Sequence, residues 1–149
     1  MRTHDLDTPA LMIDREIMMK NLRDMQAYAD RHGVALRPHT KTHKIPALAR
    51  KQIELGAVGI TVAKTTEAEV MLKASPADLL IAYPVVGEAK LERLRSIASQ
   101  TQVTVAVDSL EAARMISDAG IKAGILVEVD VGLGRMGVRP DEATLLVEE

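Results

Sequence analysis

Along the chain, short apolar runs rich in β-branched residues alternate with segments whose apolar positions recur at helical spacing. The runs begin near Ala10, Val34, Gly59, Leu79, Val103 and Ile125. Between the first two, Ile17, Met18, Leu22, Met25 and Ala29 predict a helix from about Glu16 to Arg31. Asp14 suits its N-cap and Gly33 its C-terminal stop. A second helix is expected from Pro46, a residue suited to the first helical position, to Gly56. Thr66 and Glu69 read as a capping box before Val70, Met71 and Leu72. A fourth helix follows Gly87 with Leu91, Leu94 and Ile97 on one face, and a fifth follows Ser109 and stops at Gly120.

Strand and helix thus alternate about every 20 to 25 residues, which predicts a parallel sheet covered by helices. Gly124-Ile125-Leu126-Val127 and Val103-Thr104-Val105-Ala106-Val107 are mostly apolar on both faces, as a doubly covered sheet requires. The expected class is α/β, a partial (β/α)8 barrel with about five barrel strands. A complete barrel needs ~250 residues, and the chain has 149. The helix pattern after Pro140 (Asp141, Glu142, Ala143, Leu145, Leu146) breaks off at Glu149, so a truncated single domain over 1–149 is expected. A partial barrel leaves strand edges open, and little activity is expected of such a chain alone.

Composition narrows the function classes. The chain is 47% hydrophobic and 27% charged, with net charge -2, an ordinary globular balance. No basic block favours nucleic acid. Tyr28 and Tyr83 are the sole aromatics, too few for a base-stacking platform. There is no cysteine, no apolar leader after Met1-Arg2-Thr3-His4-Asp5, and no apolar run near the ~18 residues that span a bilayer. A cytoplasmic protein without membrane or nucleic-acid partners is expected.

Two segments carry chemistry. In Arg37-Pro38-His39-Thr40-Lys41-Thr42-His43-Lys44, strand alternation would put Arg37, His39 and Lys41 on one face. Cationic neighbours and partial burial lower a lysine pKa, and a neutral amine attacks an aldehyde. The pattern suggests a Schiff-base lysine, against the plain reading of a strand edge or solvated loop. His39 and His43 stand i, i+4, a metal-binding spacing on a helix, but the segment reads as strand and turn.

The second segment is Glu128-Val129-Asp130-Val131-Gly132-Leu133-Gly134-Arg135-Met136-Gly137, which contains a formal G-x-G-x-x-G. A dinucleotide fold would open a helix inside this motif, yet Val138-Arg139-Pro140 reads as extended. A glycine-rich turn with a surface arginine is the simpler alternative.

These segments, with Thr8-Pro9-Ala10-Leu11-Met12-Ile13-Asp14, Ala63-Lys64-Thr65-Thr66-Glu67-Ala68-Glu69 and Ala82-Tyr83-Pro84-Val85-Val86-Gly87 in order, resemble the D-threonine aldolase and eukaryotic-type D-serine dehydratase family. That family belongs to the alanine-racemase-like (fold type III) pyridoxal-phosphate enzymes. The resemblance spans the chain but only the N-terminal part of a family member. It implies that Lys41, rather than Lys44, binds pyridoxal 5'-phosphate through its amine. It implies that Arg135 contacts the region of the cofactor's phenolic oxygen, with His39 and Arg37 close by. By face and charge, Glu128 or Asp130 would supply the compensating negative charge. Residues 10–14 would then join the sheet of a second domain.

The resemblance further implies a divalent metal (manganese, magnesium or zinc) with ligands in a C-terminal domain, so none is assigned here. The phosphate site is likewise expected in late barrel loops beyond Glu149. The implied activity is lyase action on a small D-amino acid: retro-aldol cleavage to glycine and an aldehyde, or dehydration of D-serine, with aldolase preferred. A homodimer is expected of the full-length protein. The competing readings are a non-catalytic pyridoxal-phosphate carrier and a nucleotide-binding domain. Among the remaining residues, Lys64 and Glu67 could border the site but read rather as a solvated helix start, and Tyr83 could reach the cofactor but reads rather as a core tyrosine. Asp108 with Glu111 reads as a helix cap, and Met18, Met19 and Met25 as core packing.

Overall fold

A computed structural model describes residues 2–148. The chain divides into two compact units, Met1–Val34 and Ala35–Glu149. The first is built on α1, Arg15–Arg31. Asp14 caps it as expected, its carboxylate accepting from the amides of Glu16 and Ile17 at 2.9 and 3.0 Å. Gly33 ends it with φ +63, the left-handed turn in which the Val34 amide reaches back to the Ala29 carbonyl.

Residues 10–14 were expected as a strand, yet no ladder pairs them among the described residues, and Leu11 stands 93% exposed. Extended backbone becomes a strand only when another edge supplies its hydrogen bonds. The expected apolar face of α1 is also incomplete, since Ile17 and Met25 are both exposed.

The second unit alternates strand and helix. Its strands are β1, Ile60–Val62; β2, Asp78–Ile81; β3, Gln102–Val107; and β4, Gly124–Val127. All pair in parallel in the order β1-β2-β3-β4. Sequential order without reversal is the winding of a barrel, not of a doubly wound sheet with a switch point. The helices are α2, Pro46–Glu54; α3, Thr65–Met71; α4, Glu88–Ala98; α5, Leu110–Asp118; and α6, Ala143–Glu148. Pro46 occupies the start of α2 and Ser109 caps α5.

Two expected caps fail. α3 begins at Thr65 without a side-chain cap, and Glu69 instead pairs with Arg93 at 2.9 Å. At α5 it is Ser109, not Asp108, that accepts the Ala112 amide.

The core lies between one sheet face and the helices. Ile60, Leu79, Ile81, Leu94 and Ile97 are completely buried there, each worth about 1.5–3 kcal/mol. β4 departs from the expectation of two covered faces: it is the edge of the sheet, and Ile125 is 45% exposed. No helix among the described residues is long and apolar enough to cross a membrane.

A fifth strand, expected from Val34, is reduced to an extended segment with one parallel bridge, His39 to Thr61. The Val58 amide donates to the Leu36 carbonyl and the Thr61 amide to the Pro38 carbonyl. Pro38 has no N–H to return, so the bridge gains no bond from it on its amino-terminal side.

At the amino-terminal edge of the sheet, Arg37 Nε meets Asp78 Oδ1 at 2.8 Å. Gly59 permits this approach, because a Cβ there would stand 2.4 Å from the Asp78 carbonyl oxygen and 2.9 Å from Oδ1. Gly59→Ala is therefore expected to lower the unfolding free energy by about 1–3 kcal/mol. An unchanged urea midpoint would contradict this close approach.

Candidate active site

The chain leaves the sheet at His39 and enters a tight turn, Thr40–Thr42. Lys41 thus sits on a 3₁₀ turn rather than at a strand end, and the expected common face of Arg37, His39 and Lys41 is not formed. Arg37 serves the Asp78 ion pair at the other end of the sheet. The turn is fixed from within. Thr40, buried, donates its hydroxyl to the Thr61 carbonyl at 3.1 Å. His39 Nδ1 accepts the Lys41 amide at 3.2 Å, and His43 Nδ1 accepts the Ile45 amide at 3.0 Å. Each imidazole is therefore engaged in the chain reversal through its Nδ1.

Burial, then the Lys41 charge, lowers the His39 pKa below the usual imidazole value, against smaller opposing effects of Glu67 and the Thr61 backbone. Burial also lowers that of His43, partly offset by Gln52.

The glycine-rich segment is a loop folded back on β4. The Val138 amide donates to the Glu128 carbonyl and the Asp130 amide to the Val138 carbonyl, both at 2.9 Å. Asp130 Oδ1 gathers the amides of Gly132 and Gly134 at 2.9 and 3.0 Å. The Gly134 amide first, then that of Gly132, holds the Asp130 carboxyl below the usual carboxylate range. At Gly137, with φ +99, a Cβ would stand 2.6 Å from the Asp130 nitrogen. No helix opens in the motif, and α6 begins only at Ala143. The dinucleotide reading fails on this geometry.

These two segments meet at one mouth. His39, Lys41, Glu128 and Arg135 line a cavity of about 400 Å³ with Ala63, Ala82 and Tyr83, a volume suited to a small ligand. All seven lie at or beyond the carboxyl ends of their strands, where barrel sites assemble. Tyr83 is 48% exposed on this cavity, not in the core. Neither the Lys41 amine nor the Arg135 guanidinium has an ion-pair partner among the described residues. Glu128 Oε2 is buried and unpartnered, an acceptor awaiting a donor.

Pyridoxal phosphate fits this set of groups: an amine for its aldehyde, a free cation for its ring oxygen, and an orphaned acceptor beside them. A phosphate cradle is not among the residues lining the cavity.

Glu67 is the residue that sequence reasoning undervalued. It is only 9% exposed, accepts the Ala63 amide at 2.9 Å, and pairs with Lys44 at 3.1 Å. Burial raises its pKa, but the Ala63 amide and Lys44 outweigh burial and hold it low. Lys44 has φ +52, a left-handed backbone costing about 1–2 kcal/mol for a residue with a Cβ. The signal available in the sequence was the i, i+4 spacing of Ala63 and Glu67 across a strand-to-helix junction. Its other partner, Lys44, is too distant in sequence to show.

A parallel sheet wound in sequential order without reversal, each strand followed by a helix, defines a protein of the β/α-barrel class. Residues 13–149 match the family described as alanine racemase, N-terminal domain, and the chain belongs to that family. It is 45% identical over 148 residues to the D-threonine aldolase of Arthrobacter sp, covering 97% of this chain and 39% of that protein. The crystal structure of D-threonine aldolase from Filomicrobium marinum superposes with TM-score 0.92 at 42% identity, over 97% of this chain and 40% of that one. D-threo-3-hydroxyaspartate dehydratase from Delftia sp. HT23 gives TM-score 0.82 at 35% identity, over 95% and 38%. The chain thus spans about two fifths of the length of these relatives.

Since both turn histidines bind protons more weakly folded than unfolded, their contribution is intact above the unfolded imidazole pKa. It is lost as pH falls through that value toward the folded ones. Glu67 and Asp130, also depressed, bring losses only at lower pH. Stability should fall between about pH 7.5 and pH 5.5. His43→Asn retains an acceptor for the Ile45 amide and should shrink that loss in denaturant titrations at the two pH values. An identical loss would contradict the assignment.

Proposed function

We propose that this chain supplies the cofactor-binding part of a pyridoxal-phosphate-dependent lyase acting on D-amino acids, with D-threonine-aldolase-like cleavage of β-hydroxy-D-amino acids. The observation that carries the reading is the pairing of an unpartnered Lys41 amine with an unpartnered Arg135 guanidinium on one cavity. Identity of 45% to a D-threonine aldolase supports it. Residues 1–149 are assigned to the barrel, and the remaining length of such a protein would carry the phosphate loops and a C-terminal domain. No group of three or more His, Cys, Asp or Glu gathers among the described residues, so the divalent metal expected of the complete protein would draw on ligands outside this set.

Lys41 would hold the cofactor covalently by its ε-amine, presented from a turn whose backbone is already fixed. Arg135 would set a permanent positive charge against the ring oxygen, an interaction built before the reaction starts. His39, whose hold on a second proton is weakened by burial and by Lys41, braces the turn by accepting the Lys41 amide at Nδ1. Glu128 would offset the charge of Arg135 and accept a hydrogen bond at Oε2. Bound there, pyridoxal phosphate supplies an electron sink for the pair released when the Cα–Cβ bond breaks to give glycine and an aldehyde.

A dehydratase is the second reading, favoured by the 35% identity to D-threo-3-hydroxyaspartate dehydratase over the same stretch. Incubation of the complete protein with D-threonine should yield aldehyde, and with D-serine little pyruvate. Pyruvate alone would select the dehydratase, and neither product a cofactor carrier. Lys41→Ala should abolish the absorbance band near ~420 nm expected of lysine-bound cofactor. Arg135→Leu should retain the band and lower kcat by about 10²–10³-fold. A band that survives Lys41→Ala would sink the reading.

A further inference from the structure

The turn that carries Lys41 is gripped at both ends. At one end Thr40 is buried and bonded to the Thr61 carbonyl at 3.1 Å. At the other, Lys44 occupies a left-handed backbone conformation, φ +52, that side-chain-bearing residues seldom hold without external support. Its amide closes on the Thr40 carbonyl at 2.8 Å. The support visible in the structure is Glu67, which takes the Lys44 ammonium on Oε1 at 3.1 Å and the Ala63 amide on Oε2 at 2.9 Å.

Glu67 is nine-tenths buried on α3, and both of its oxygens are committed. It therefore ties three parts of the mouth together: the turn, the exit of β1 at Ala63, and the first turn of α3. Ala63 itself lines the cavity. Lys41, between the two grips, is exposed and takes no carboxylate partner among the described residues.

We propose that Glu67 is a positioning residue: by holding Lys44 in its left-handed conformation and the Ala63 amide in place, it keeps the turn in the one form that presents Lys41 to the cavity. This rests on the reading of Lys41 as the cofactor lysine. The same carboxylate occupies the neighbouring amine, so of two lysines three positions apart only one is available.

The test separates the grip from the fold as a whole. Glu67→Gln keeps an acceptor for the Ala63 amide but removes the charge that holds Lys44. Lys44→Gly adopts the left-handed conformation freely and needs no ion pair. In the complete cofactor-free protein, amide hydrogen exchange at His43 and Lys44 should quicken by about tenfold in Glu67→Gln. It should return to within about twofold of the parent in the Glu67→Gln, Lys44→Gly double variant. The rate at which the cofactor band grows after pyridoxal phosphate is added should follow the same order. A general loss of stability would not be rescued by glycine at position 44, and the melting temperature of each variant reads that loss separately.

Unchanged exchange in Glu67→Gln, or a double variant as loose as the single one, would overturn the proposal. If Lys41→Ala in the parent protein still forms the band, the cofactor reading falls instead, while the exchange data continue to decide the grip.

Discussion

The geometry of this site depends on the hydrogen bond that the buried Thr40 hydroxyl donates to the Thr61 carbonyl where the chain leaves the sheet. The segment that enters the sheet beside β1 gives carbonyls to Val58 and Thr61, and its pairing ends at the His39 bridge. The chain goes on as a 3₁₀ turn closed by its own side chains, with Thr40 anchored on β1 and His39 accepting the Lys41 amide. A longer strand would have carried Lys41 onward along the pleat. The early break instead sets its amine at the mouth of the cavity, on a backbone already immobilised.

The distribution of cations follows from the same arrangement. At the amino-terminal edge of the sheet Arg37 is satisfied by Asp78, across a glycine that leaves room for the contact. At the carboxyl-terminal edge Lys44 is satisfied by Glu67, while Lys41 and Arg135 are left unpaired on the cavity with the orphaned Glu128 oxygen. Paired charges stabilise the fold at one end. The buried, unsatisfied Glu128 oxygen at the other is a cost that a purely structural protein would avoid. The Arg135 loop is organised in the same spirit, since Asp130 spends its carboxylate on loop amides rather than on the arginine.

Much of this was legible in the residues. Helical periodicity with Asp14, Gly33, Pro46 and Ser109 marked helix boundaries that the structure confirms, because capping is a local interaction between neighbours in sequence. The parallel α/β order was legible for the same reason, from alternating runs. Misreadings fall where a distant partner decides. Glu69 looked like a cap but answers to Arg93, twenty-four positions away on α4. Glu67 looked solvated but is buried by Lys44 and the β1 exit. Tyr83 followed an apolar run and so resembled core, yet the chain has left the sheet by then and the ring lies on the cavity. Residues 10–14 carry a strand-like pattern, but pattern cannot supply a pairing edge.

The central claim is that one amine, chosen by the turn, is the one that takes the cofactor. Its most direct test is borohydride reduction of the complete protein loaded with pyridoxal phosphate, followed by proteolysis and mass spectrometry of the labelled peptide. The account predicts a single reduced adduct on Lys41, with Lys44 and Lys64 unmodified. An adduct on either neighbour, or on no residue of this chain, would contradict it.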